Sequence, residues 1–207
     1  MPPPSDSYLH PYREAADSHG HGFRVTLWAS PKSQRRRFEV FAQMAPLVGK
    51  RILDAGCSRG DFAAYLAEHD IRYARFIGID GLESVITYAN QRNLPDAEFH
   101  AGDFVSDPSL LRLGDPQAIV ISGTLNTMNN RTVRRTLEAA WDAAGEMLLF
   151  NFLSNRTGPD APPQGKPARR LDTMWLLDWA LSRTWAVQFR QDYFDQGHDA
   201  TILMRKA

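Results

Sequence analysis

The chain has a single cysteine, Cys57, in 207 residues. One thiol excludes an internal disulfide framework and a cysteine-built zinc site, and it fits a reducing compartment. The chain also lacks an excess of charge, with 24 Lys and Arg against 24 Asp and Glu. Without a basic surplus, the phosphate backbone of a nucleic acid is not an expected partner. No apolar run approaches the ~18 residues needed to span a bilayer, so no membrane association is expected. The opening residues M-P-P-P-S-D-S lack the charged and apolar regions of a secretory leader, and the expected location is cytoplasmic. What remains is an ordinary globular composition, 43% hydrophobic and 23% charged, at a length that suits one domain with small additions.

The first 22 residues are polar and rich in proline, histidine and glycine, and Pro11 is placed to open a short helix ending near Gly20. A stronger helix is predicted from Ser30 as cap and Pro31 at the first position, with Phe38, Phe41 and Met44 at helical spacing and Pro46 and Gly49 ending it. Strands are predicted at 51–55, 75–80, 97–100, 117–122 and 146–152. Helical stretches fall between them at 61–69, 82–91 and 131–144, the last capped by Asn130 and stopped by Gly145. This alternation implies a mostly parallel sheet with helices on both faces, in the α/β class.

The rhythm breaks after residue 153. The segment 154–170 is rich in proline, glycine and charge, and its composition fits a lid and a disordered loop equally. A helix is predicted over 171–182, with Met174, Leu177 and Leu181 on one side. Two strands, 185–193 and 200–205, then close the chain with no room for a helix between them, so they must be antiparallel. The N-terminal helical part, 1–48, is expected to be a cap on an α/β domain at 49–207.

The chemistry concentrates in R-I-L-D-A-G-C-S-R-G-D-F, residues 51–62. A short apolar strand runs into Asp54, Gly56 and Gly60 follow, and a helix begins. Glycine lets backbone approach a ligand closely and takes positive φ, and the helix start offers unpaired N–H groups. A tight turn without a ligand explains the same residues. Asp80, followed by Gly81, ends the second strand twenty residues beyond Gly60. A carboxylate there can accept hydrogen bonds from both ribose hydroxyls at the switch in strand order. Asp103 and Phe104, in H-A-G-D-F, can meet an adenine amino group and its ring, or serve as a cap and a core residue. Ser122 ends the fourth strand in I-S-G-T-L-N, placing it with Gly123 and Asn126 beside the reacting end of such a ligand. Asn126 reads equally as a turn residue.

In combination these residues resemble the class I S-adenosylmethionine-dependent methyltransferases, specifically small bacterial members. The family's first motif, D-x-G-x-G-x-G, stands here as Asp54, Gly56, Ser58 and Gly60, with Ser58 in place of the middle glycine. Asp80 matches the ribose contact, and Asp103 with Phe104 matches the adenine contact. Cys57 lies inside the same loop, where it packs more plausibly than it reacts. The resemblance covers about residues 30–207. It implies a seven-stranded sheet of order 3-2-1-4-5-7-6 with the last strand antiparallel, and S-adenosylmethionine as cofactor with S-adenosylhomocysteine as product. It also implies transfer of a methyl group by in-line displacement, with a small molecule as the expected acceptor. In Q-x-x-R-F, residues 34–38, Arg37 can pair with the cofactor's methionine carboxylate or belong to a solvated basic face.

Few groups qualify as a base. His198, in Q-G-H-D, and Tyr12 are the candidates alongside Asn126. Tyr8, His10, His19 and His21 lie in an N-terminal segment placed to close over a substrate. His19 and His21 are read as solvated, and no metal is expected. A nicotinamide-dependent oxidoreductase is the alternative enzyme, but its loop normally reads G-x-G-x-x-G, a spacing absent from residues 56–60. A non-catalytic domain that binds an adenosyl cofactor is the alternative outside enzymes.

Overall fold

The computed structural model describes residues 8–206 of the chain. The first seven residues, on which the expectation about a leader rests, lie outside the described residues.

Seven strands form one sheet of order β3-β2-β1-β4-β5-β7-β6. They are β1 (Arg51–Ala55), β2 (Arg75–Asp80), β3 (Ala97–Ala101), β4 (Ala118–Ile121), β5 (Met147–Leu153), β6 (Val187–Arg190) and β7 (Asp199–Arg205). The first five run parallel, and β7 pairs antiparallel with both β5 and β6. The implied topology is therefore the one observed. The helices are α1 (His10–His19), α2 (Pro31–Met44), α3 (Asp61–Glu68), α4 (Glu83–Gln91), α5 (Asn130–Ala143) and α6 (Thr173–Arg183).

Alternation along each strand separates two cores. Leu53, Ile79, Ile121 and Phe150 face a layer containing Val133, Leu137 and Ala140 of α5 and Leu176 and Trp179 of α6. Ile52, Phe76, Val120 and Leu149 face Phe38 and Phe41 of α2, Phe62 and Leu66 of α3, and Ile86 and Ala89 of α4. Strands buried on both faces are what a parallel sheet between two helical layers requires. The carboxyl ends of β1, β2 and β4 open on one edge, and the start of β7 joins them because it runs the other way.

Local chemistry sets several boundaries. Ser30 and Ser33 form a reciprocal cap at the start of α2, with Ser33 N donating to Ser30 Oγ at 3.1 Å and Ser30 N to Ser33 Oγ at 3.2 Å. At α5 the cap is Asn129, not Asn130, because Asn129 keeps extended backbone and its side chain accepts from Thr132 N at 2.9 Å. That helix ends at Ala143, and Gly145 instead donates to Pro116 O, joining the turn into β5. Helix α6 starts two residues later than its sequence pattern suggests, because Asp172 caps Met174 and Trp175. Its inward side carries Leu176, Trp179 and Ala180, while Met174 and Leu181 lie exposed. The larger apolar area of the Leu176–Trp179 side decides which face turns inward. Strand β6 is only four residues long, because β7 offers it partners at 201–204 and Trp185 stays 82% exposed. Among the described residues no helix is long and apolar enough to cross a membrane.

Candidate active site

The turn after β1 is held from below by the neighbouring strand. Gly56 N and Cys57 N both donate to Ile79 O, at 2.8 and 3.0 Å. Gly56 adopts φ +87°, and a Cβ there would run into Thr124 Oγ1. Ser58 also takes a left-handed conformation, with φ +48°. Its amide donates to Asp80 Oδ2 at 2.9 Å, while Leu82 N donates to Asp80 Oδ1 at 3.0 Å. One carboxylate thus ties the ends of β1 and β2 together and keeps lone pairs free on both oxygens.

These ends form the floor of a cavity of about 410 Å³. Of the sequence-singled residues, Gly56, Ser58, Asp80, Gly81, Phe104 and Ser122 line it. Tyr12, Arg37, Asn126 and His198 line it as well, although they lie far apart in the chain. Four candidates do not line it. Cys57 is buried behind the loop, where its side chain fills the space that a Cβ on Gly78 would need. Gly60 gives room to the Phe99 ring, 2.7 Å from where its own Cβ would stand. Both shape the loop from behind rather than facing a ligand. Asp103 accepts from the Tyr8 hydroxyl, from Val105 N at 2.9 Å and from Ser106 Oγ at 2.5 Å. Its carboxylate is occupied by Tyr8 and its own turn, in place of the expected adenine contact.

Asp54, the fourth, lies beneath the loop and is 3% exposed. Its Oδ1 has no hydrogen-bond partner among the described residues. Burial pushes its carboxyl up to about 8, with Asp80 and Asp61 adding repulsion. Burial also raises Asp80 to about 6, opposed by the hydrogen bonds from Ser58 and Leu82. Burial pushes the Tyr12 hydroxyl up to about 12, partly offset by a hydrogen bond with Thr127.

Arg37 is neither on a solvated face nor a free cation. It is 4% exposed, and its Nε donates to Asp199 Oδ2 at 2.7 Å. Its guanidinium lies 4.2 Å from the Trp28 ring and 4.7 Å from the Phe194 ring. Asp199 also accepts from the Tyr193 hydroxyl at 2.6 Å. Burial raises the Asp199 carboxyl, while Arg37 and Tyr193 hold it down. This buried pair ties α2 to the start of β7, whereas the neighbouring Arg35 and Arg36 reach Glu68 and Glu39 on the surface.

The roof comes from two segments. Leu9 lies 2.9 Å from where a Cβ on Gly81 would stand, so the start of α1 rests on the end of β2. The 154–170 segment is an anchored loop. Arg170 donates to Ser154 O at 3.0 Å and to Pro162 O at 2.8 Å, and Arg169 N donates to Asn126 O at 2.9 Å. Its residues 162–168 line the cavity. Leu27 and Trp28 line it too, although the sequence pattern did not mark them. A bulky residue in a left-handed conformation, as Leu27 is at φ +57°, is visible only in three dimensions. His21 stacks on Tyr88 at 4.6 Å. Among the described residues no group of three or more His, Cys, Asp and Glu is arranged to hold a metal.

The family model for a methyltransferase domain matches residues 52–144. No protein with a curated description matches the chain in sequence. Among solved structures, the DhpI–SAM–HEP complex is similar at 13% identity and a TM-score of 0.69, over 98% of this chain and 97% of that one. Phosphoethanolamine N-methyltransferase 1 of Haemonchus contortus, with phosphoethanolamine and S-adenosylhomocysteine, is similar at 14% identity and a TM-score of 0.74. That similarity covers 98% of this chain and 49% of that one. Magnesium protoporphyrin IX methyltransferase of Synechocystis PCC 6803 with bound SAH is similar at 12% identity and a TM-score of 0.70, over 98% of this chain and all of that one. Residues 52–144 thus match a methyltransferase domain, and the chain as a whole shares the Rossmann-like, seven-stranded fold of these structures.

Proposed function

We propose that the protein binds S-adenosylmethionine in this cavity and transfers its methyl group to a small-molecule acceptor. Residues 49–207 serve as the catalytic domain and the segment before them as its cap. The reading is carried by one observation: the cavity floor is acidic and cation-poor. Asp80 lines it, and Asp54 lies beneath with an unpartnered oxygen. A cofactor bearing ammonium and sulfonium charges complements the Asp80 carboxylate and favours ionisation of Asp54 beneath it, whereas a dinucleotide's anionic pyrophosphate opposes both. The residues therefore fit the cofactor. Asp80 is placed for the ribose hydroxyls, the Gly56–Ser58 backbone and Ser122 for the methionine portion, and Phe104 for the adenine side. Asp103 takes part only if Tyr8 yields its place, and Arg37 meets the methionine carboxylate only while shared with Asp199.

The bound cofactor supplies a methyl group already activated by the positive sulfur, so the protein needs no nucleophile of its own. Its task is to orient the acceptor and exclude water. Closure by the 162–168 loop and the start of α1 serves the second need. The buried thiol Cys57 has no role in such a transfer and fits a reducing, cytoplasmic setting. The test is thermal denaturation with added ligands. S-adenosylhomocysteine is expected to raise the melting temperature. Stabilisation by NAD(H) instead would overturn the reading in favour of an oxidoreductase.

A further inference from the structure

The cavity wall away from the acidic floor differs in character. Leu27 and Trp28 face it from the turn before α2, and Pro162, Pro163 and Pro167 from the anchored loop. Leu27 remains 38% exposed while held at φ +57°, so an apolar side chain is kept uncovered in a backbone conformation that costs free energy. Trp28 is fixed on two sides. Its indole packs against Gly123, where any Cβ would collide with the ring, and Arg37 covers a ring face at 4.2 Å.

The charges are one-sided as well. Asp80 is the only acidic residue among the described residues lining the cavity, and it lies at the ribose end. The charge of Arg37 is neutralised by Asp199. Lys166, exposed on the loop, lines the cavity mouth with no hydrogen bond or ion pair to any described residue, and the His198 side chain engages Asp195 O through Nδ1 only. The Asn126 amide oxygen is taken by Leu153 N at 2.9 Å, which leaves its amino group as a donor. The wall thus presents flat apolar surfaces, a free ammonium and neutral donors, and no carboxylate.

Building on the methyltransferase reading, we propose that this wall is the acceptor site, that it takes a flat apolar-bodied molecule bearing an anionic oxygen, and that Lys166 selects that charge. A carboxylate or an acidic phenol satisfies the description. Such an acceptor arrives already deprotonated, which suits a wall without a carboxylate base. Its oxygen lone pair forms the bond to the methyl carbon while the carbon–sulfur pair stays on sulfur, and no proton is released. The step joins an anion and a cation into neutral products, so an acceptor that covers the apolar wall and displaces its water favours it over solution. An ammonium acceptor would face Lys166 with no carboxylate to compensate.

The test uses two probes with one ring system and opposite charge, 1-naphthoate and 1-naphthylmethylamine. Each is titrated by calorimetry into the full chain saturated with S-adenosylhomocysteine. Naphthoate is expected to bind at least ten-fold more tightly than the amine. Lys166→Ala is expected to weaken naphthoate about ten-fold, the worth of one charge-assisted hydrogen bond, and Lys166→Arg to retain it. Equal binding of the amine, absence of naphthoate binding, or an unchanged affinity in Lys166→Ala would overturn the acceptor assignment alone. Failure of the wild-type chain to bind S-adenosylhomocysteine at all would overturn the methyltransferase reading, and the acceptor assignment with it.

Discussion

Replacing Asp54 by asparagine should stabilise the ligand-free protein, and by an amount that grows with pH. The carboxyl sits at the core end of β1, 3% exposed, with an unpartnered Oδ1, and burial lifts it from an ordinary value near 4 to about 8. Between those values the folded chain holds a proton that the unfolded chain has released. Stability therefore falls as pH rises through that window. The free-energy cost accumulates from the unfolded value up to the working pH; pH 7 lies about three units above it, and each unit corresponds to ~1.4 kcal/mol, so the ceiling is about 4 kcal/mol. Local relaxation and water entry beside an open cavity reduce it, and about 2 kcal/mol is the expected gain. For a chain of this size that corresponds to roughly 4–8 °C in melting temperature. pH 5 lies only about one unit above the unfolded value, and the expected gain there is under ~1 kcal/mol. Thermal unfolding of the wild-type and Asp54→Asn proteins followed by circular dichroism at both pH values measures this. A variant that is destabilised at pH 7, or that gains equally at both, would show that Asp54 is not a buried, uncompensated acid.

Two further substitutions test the framework around the cavity. Arg37→Met leaves Asp199 buried with Tyr193 as its remaining side-chain donor beside Thr201, and breaking a buried pair costs about 3–5 kcal/mol. Because the Asp199 carboxyl then rises further, the deficit by urea unfolding should be larger at pH 8 than at pH 5; equal deficits would contradict the ion-pair assignment. Gly56→Ala, at φ +87° and against Thr124, should cost at least roughly 1–3 kcal/mol from backbone strain and abolish S-adenosylhomocysteine binding. Wild-type stability and binding in that variant would mean that the loop is not held as described.

The sheet was legible because its central strands are short and apolar on both faces, as at 118–121 and 147–153, and alternate with stretches of helical period. The cavity floor was legible for a related reason. Gly56, Ser58 and Asp80 act through local turn geometry, which leaves a mark in sequence spacing. The roof was not. Leu27, Trp28 and the 162–168 loop are positioned by contacts with Gly123, Asn126 and Pro162 that no local pattern reports. The Arg37–Asp199 pair joins residues 162 apart, and a run of three arginines gives no sign that one of them is buried. Spacing likewise identifies the loop but not which side of it each residue faces, and Asp54, Cys57, Gly60 and Asp103 do not line the cavity.

The central claim is that the edge formed by β1, β2 and β4 is an adenosyl-cofactor site organised by Asp80. Calorimetric titration of S-adenosylhomocysteine into the wild-type and Asp80→Ala proteins tests it most directly. The wild-type chain is expected to bind at a single site. The variant, if folded by circular dichroism, should bind about ten- to a hundred-fold more weakly, as the loss of charged hydrogen bonds worth roughly 1.5–3 kcal/mol requires. A folded Asp80→Ala protein with wild-type affinity would contradict the account.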